Sequence, residues 1–197
     1  MANTNAPFGF RQYSGTGSAP TYEQVAVQIN YNAAAIYFGD AVIAAADGSV
    51  TAAAAQSTQV TSAVAGIFVG CKYLSVATKR TQWSNFWPGS DVASGNVVTG
   101  YIVNDPNAKF VVQTDATGLT QAGVNANVGF NTGAANAANG ISGAYLDVST
   151  LNTTATLPFR VVSLVVDPPG VNGTQSGAYN YAVVAFNNAA SKNLTGV

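Results

Sequence analysis

The chain has 197 residues, enough for one sizeable core, but only 8% of them are charged and the formal net charge is −1, against roughly 25% charged residues in an ordinary soluble domain. Neither sign is in excess, so there is no basic footprint for nucleic acid and no polybasic contact for a membrane surface; "TKR" at 78–80 is too small a cluster to serve as either. With no histidine and one cysteine, Cys71, the composition excludes His-dependent triads, Cys/His zinc sites and an internal disulfide.

The remaining chemistry is thin. Glu23 is the single glutamate, and an acid/base pair could be drawn only from Asp40, Asp47, Asp91, Asp105, Asp115, Asp147 and Asp167. Four of these stand in "ADGS", "NDPN", "TDATG" and "VDPPG", where an aspartate is explained by hydrogen bonding to its own backbone. No window offers the alternating carboxylates of a calcium loop. The expectation is a protein that is not an enzyme, with no cofactor and no metal. Its surface has to be made of Thr, Ser, Asn, Gln and Gly, as in proteins that live in an assembly.

Residues 1–24 mix Gly, Ser, Pro and Asn with Phe8, Phe10, Tyr13 and Tyr22 and sustain no period, which predicts an extended N-terminal arm. A disordered tail is poorer in aromatics, so this arm is expected to lie on something, either another chain or its own domain. There is no basic start followed by an apolar run, as a secretory signal would have. No apolar run approaches the roughly 20 residues of a membrane span. Synthesis in a cytoplasm is therefore expected, and the N-x-[ST] triplets at Asn152, Asn172 and Asn193 carry no weight.

Residues 25–197 are expected to form a single β-domain. Val25, Val27, Ile29 and Tyr31 alternate with polar positions as a half-buried strand. Residues 39–55 read as two short strands joined at Asp47-Gly48, a favoured hairpin turn. "AGIFVGCKYLSV", 65–76, reads as a strand with Ile67, Val69, Cys71 and Tyr73 on one face and Phe68, Gly70, Lys72 and Leu74 on the other. Cys71 is expected to be a small buried hydrophobe and not a reactive thiol. Two β-rich runs flank "NDPN" within 96–118, where Pro106 presets a turn; Lys109 and Gln113 supply the polar positions of the second run. Residues 120–144 lack periodicity and are predicted to wander over the surface. "AYLDVST", "TLPFRVVSLVVD" and "AYNYAVVAFN" read as further strands, the second ended by "DPPGVNG". Eight or more short strands predict an all-β fold, a compact β-barrel or β-sandwich.

Trp83, Phe86 and Trp87 stand together in "RTQWSNFWPGS", 80–90, in an otherwise small-residue chain. The spacing of the tryptophans puts both indoles on one face, whether on a helical turn or a strand, with Phe86 pointing elsewhere. Core packing under a long loop, a protein interface and a sugar-stacking platform all fit such a cluster.

The order of motifs carries a resemblance. "FGDAV…DGSV", "AGIFVGCKY", the Trp-Pro segment, "VNDPNAKFVVQTD", "VGFN", "LDVSTLNTTATLPFRVVSLVVDPPG" and "AFNN" follow one another in a way that resembles small capsid decoration, or cement, proteins of tailed bacteriophages. The likeness covers almost the whole chain beyond the arm. Where that family's pattern carries a histidine after the paired asparagines, this chain reads "NNAA" at 187–190. Whatever that histidine does there is not carried over.

The resemblance implies a β-rich virion protein bound to the outer capsid surface, with the major capsid protein and itself, as a homotrimer, for partners. Phe8, Phe10, Tyr13, Trp83, Phe86 and Trp87 are the candidate interface residues, the arm adding a strand to a neighbouring sheet while its aromatics fill pockets. A carbohydrate-binding adhesin and a tail or neck component are the competing expectations.

Overall fold

The computed structural model describes residues 3–14, 24–53, 63–165 and 177–192. Tyr22, Glu23, Asp167, the "DPPGVNG" turn, Asn172 and Asn193 lie outside the described residues.

The fold is all-β and sandwich-like. One sheet holds β1 (Arg11–Ser14), β8 (Lys109–Gln113), β12 (Tyr181–Phe186), β11 (Phe159–Leu164), β9 (Asn127–Asn136) and β10 (Ile141–Asn152), in that spatial order. The other holds β3 (Ala41–Ala44), β4 (Val50–Ala52), β2 (Val25–Ile29), β7 (Val98–Val103), β5 (Val64–Leu74) and β6 (Thr81–Ser84). In this second sheet β3 also pairs with β5. The circuit β3–β4–β2–β7–β5–β3 therefore closes on itself, with β6 appended to β5.

Two cores follow from that curl. Phe10, Phe110, Phe130, Phe159 and Phe186 centre the larger one between the sheets, joined by Ala41, Ile67 and Val103 from the curled sheet. Ile29, Val42, Phe68, Cys71, Val98 and Ile102 fill the smaller one inside the curl, capped by Ile36 and Trp87. Strands buried on both faces read as unbroken apolar pairs. This is why Ile67-Phe68 and Ile102-Val103 both lie fully inside. A buried polar link joins the two halves: Ser142 Oγ donates to Asp40 Oδ1 at 2.6 Å.

The Asp47-Gly48 hairpin is present, with β3 and β4 antiparallel. Gly48 sits at φ 81°, and Asp47 Oδ1 accepts from Ser49 N and Oγ at 2.9 and 2.6 Å. Asp105 and Asp115 make the same local bond, to Asn107 N and Thr117 N.

Three expectations are corrected. The face assignment along 65–76 fails at Val69, where the register of β5 against β7 shifts between Phe68 and Gly70. One extra residue reverses the alternation, so Phe68 shares the inner core with Cys71 and Tyr73 while Ile67 and Val69 face the other sheet. The two runs flanking "NDPN" are strands as expected, β7 and β8, and they belong to different sheets. Gln113 is not a surface position; it is fully buried and bonded to Ala6 N, Thr4 O and Tyr179 O. Finally, residues 127–144 form most of the long β9–β10 hairpin, with Val128, Phe130 and Ala144 in the core. Gly, Asn and Ala hide its alternation because their small side chains carry little hydrophobic contrast.

Candidate functional site

The arm is part of its own domain where it is described. Phe10 is 1% exposed, stacked on Phe159 at 4.4 Å and edge-on to Phe130 at 5.5 Å. Gly9 N donates to Ala144 O and Phe10 N to Gly39 O, and β1 pairs with β8. Phe10 is therefore a core residue and not an anchor for another chain, because the hydrophobic gain of burying it is already taken inside. Phe8 is half-buried and stacked on Tyr181 at 5.7 Å. Arg11 lies over Phe38, 4.3 Å from the ring centre, and over Phe8 at 5.9 Å. Tyr13 alone among these aromatics stays largely exposed, at 62%.

The tryptophans do not share a face. β6 carries Trp83 opposite Lys72 of β5. The chain then bends at Asn85 and Phe86, held by Phe86 N donating to Ser84 Oγ at 3.2 Å and Asn85 Nδ2 donating to Asn139 O at 2.8 Å. Beyond the bend Trp87 turns inward. It is fully buried, its indole N–H donates to Ala33 O at 3.1 Å, and its ring meets Tyr73 edge-on at 5.2 Å. Reciprocal backbone bonds with Ile36 fasten it further. Phe86 is half-buried and stacked on Tyr37 at 5.8 Å, and its carbonyl accepts the Cys71 thiol at 3.3 Å. Burial pushes the Cys71 thiol up to about 12, so Cys71 is the inert small hydrophobe that its position suggests.

Trp83 is left outside, 67% exposed. Its ring runs nearly parallel to Tyr101 of β7, 5.8 Å between centres, and Lys72 Nζ stands 5.1 Å from it. Leu74 points the same way as Lys72, and continuing the Lys72↔Thr99 register by two residues sets Leu74 opposite Val97; both are exposed. The outer face of β6–β5–β7 is thus an aromatic and aliphatic patch that also carries Lys72. Beside it, Gly70 and Tyr101 floor a hollow of about 490 Å³ that Gln24, Trp83, Ser84 and Asn85 also line. A Cβ on Gly70 would stand 2.9 Å from Ser84 O, so glycine is what lets β6 lie this close.

Of the six candidate interface residues, the structure gives Phe10 and Trp87 to the interior and sets Phe8 and Phe86 against aromatics of their own chain. Tyr13 and Trp83 remain presented to solvent. Tyr101, Lys72, Leu74 and Val97 were missed. Lys72 and Leu74 were legible as the polar-parity side of β5, but the bulge at Val69–Gly70 obscured which way that side faces.

Among the described residues no group of three Asp, Glu, Cys or His side chains gathers as a metal site, and no helix is long and apolar enough to cross a membrane. Protein-family models, curated proteins and solved structures contain no match to this chain.

Proposed function

We propose that this protein is a non-catalytic virion component that attaches to the outer surface of an icosahedral capsid and reinforces the shell. One observation carries the proposal: the solvent-facing patch of Trp83, Leu74, Val97 and Tyr101 on the outer face of the β5–β6–β7 sheet, in a chain with few charges to hold a partner otherwise. Tryptophan dominates interface energetics when it enters a dry pocket, and burying one large apolar side chain is worth about 1.5–3 kcal/mol. Self-association as a homotrimer would multiply a modest single contact through effective concentration. The colinear order of sequence motifs supports the same reading. So do Asp47, Asp105 and Asp115, each committed to a turn N–H instead of to chemistry.

Phe10 is taken up by the chain's own core, so attachment is assigned here to the β5–β6–β7 face and not to Phe10. The test mixes undecorated shells with the wild-type chain and with Trp83→Ser and Leu74→Ser variants, at low and high salt. Binding that weakens at least tenfold in both variants and resists salt supports the proposal. Full-strength binding by Trp83→Ser, or a steep loss in salt, overturns this account of attachment. Particle imaging reads position: several hundred copies over the shell fits decoration, while six or twelve at one vertex makes it a tail or neck component.

A further inference from the structure

A second pocket lies on the other sheet, where four separate segments meet. Asn5, Thr114, Asp115, Ala116, Tyr145 and Tyr179 line about 230 Å³. Its walls are tied together from behind. Asp115 O accepts from Tyr179 N at 2.9 Å, and its carboxylate oxygens accept from Thr117 N and Val148 N at 2.8 and 2.9 Å. Buried Gln113 holds the N-terminal segment and the 177–180 turn at once, donating to Thr4 O and Tyr179 O and accepting from Ala6 N. Thr114 Oγ1 donates to buried Asn180 Oδ1 at 2.8 Å. Preorganisation of this kind lowers the cost of binding.

Two features of this pocket bear on what it can hold. Tyr179 sits at φ 57°, a left-handed conformation that a bulky side chain rarely adopts, and strain of this kind gathers at ligand sites. The Asn5 amide and the Tyr145 and Tyr179 hydroxyls have no hydrogen-bond partner among the described residues. The pocket thus presents aromatic surface together with groups that both donate and accept, beside a carboxylate fixed by backbone N–H groups.

We propose that this pocket binds a neutral pyranose, such as the terminal residue of a glycan. The C–H face of a sugar ring suits a tyrosine ring, and its hydroxyls suit an array of carboxylate, amide and phenol. No Lys or Arg lines the pocket, which disfavours phosphates and acidic sugars. An organic ammonium would use the carboxylate and the rings but leave the amide and phenol donors idle. The site is distinct from the Trp83 face, so it stands or falls separately from shell attachment.

The test titrates methyl glycosides of glucose, galactose, mannose, fucose and N-acetylglucosamine into the isotope-labelled full chain and follows its amide resonances, with tetramethylammonium chloride as a second arm. At least one glycoside is expected to bind with millimolar affinity and to shift residues 114–116, 145 and 179. Tyr179→Gly accommodates the positive φ and should keep the thermal midpoint while weakening binding at least tenfold. Asn5→Ala, at an exposed position, should weaken binding without altering the fold, and Trp83→Ala should bind normally. The proposal is overturned if no glycoside shifts these residues, if tetramethylammonium does so instead, or if Tyr179→Gly keeps full affinity. It is equally overturned if binding is lost in Trp83→Ala alone, which would move the sugar to the hollow beside Trp83.

Discussion

The inner and outer ends of the 83–87 segment use the same residue type in opposite ways. Trp87 closes the smaller core, with its ring and its N–H both satisfied inside the molecule, whereas Trp83 lies on the outer face beside Tyr101. The aspartates repeat the contrast. Asp40 is buried between the sheets and bonded to Ser142, while Asp47 sits on a hairpin tip. Residue type tells what a side chain can do; the bend or turn that carries it decides whether it is taken into the fold or left to solvent.

The largest expected effect comes from breaking the inner end. Trp87→Ala should lower the unfolding free energy by about 3–5 kcal/mol, through the cavity and the lost bond to Ala33 O. Trp83→Ala should change it by no more than about 0.5 kcal/mol. Guanidinium titration of the two variants measures both, and equal costs would erase the distinction. Phe10→Ala belongs with the inner class and should cost about 3–5 kcal/mol; a stability close to wild type would return residues 8–10 to the role of a free arm.

Cys71 sharpens the contrast next. Its thiol, held at about 12 by burial, should resist alkylation at pH 8 in the native protein and react quickly once unfolded. Rapid native labelling would mean that the β5–β6 contact opens readily.

The smallest effects concern pH. Burial raises the Asp40 carboxyl above its ordinary 3.8, against the bonds from Ser142 and Tyr37 N. Its contribution is complete below 3.8 and is lost as pH rises through the folded value. Bonds from Ser49 and Asn30 lower Asp47 to about 2, so its contribution is present above 3.8 and is lost as pH falls toward 2. Urea midpoints from pH 2 to 7 should therefore show the advantage of wild type over Asp40→Asn shrinking as pH rises, and that over Asp47→Asn growing.

Much of the fold was legible because strand alternation and turn chemistry are local. Asp47-Gly48, the 65–76 strand and the all-β class needed only neighbouring residues. The β9–β10 hairpin was hidden because Gly133, Ala134, Ala135 and Gly143 give no hydrophobic contrast. The bulge at Val69–Gly70 was hidden because nothing in "FVGC" announces an extra residue. Trp83 could be singled out by type, but its exposure depends on the bend at Asn85 and Phe86, which is held in part by Asn139, 54 residues away. The Tyr145–Tyr179 pocket joins four distant segments and leaves no local pattern at all.

Phe10 also bears on how the molecule comes into being. Its ring partners Phe110, Phe130 and Phe159 emerge from the ribosome long after it does, so the larger core cannot close until most of the chain has been made. Closing loops of that span is entropically slow. During that delay an exposed phenylalanine and unpaired strands must be kept from neighbouring chains. Folding therefore has to be a late, cooperative event for this protein, and its yield should fall with crowding among nascent copies before any finished fold is challenged.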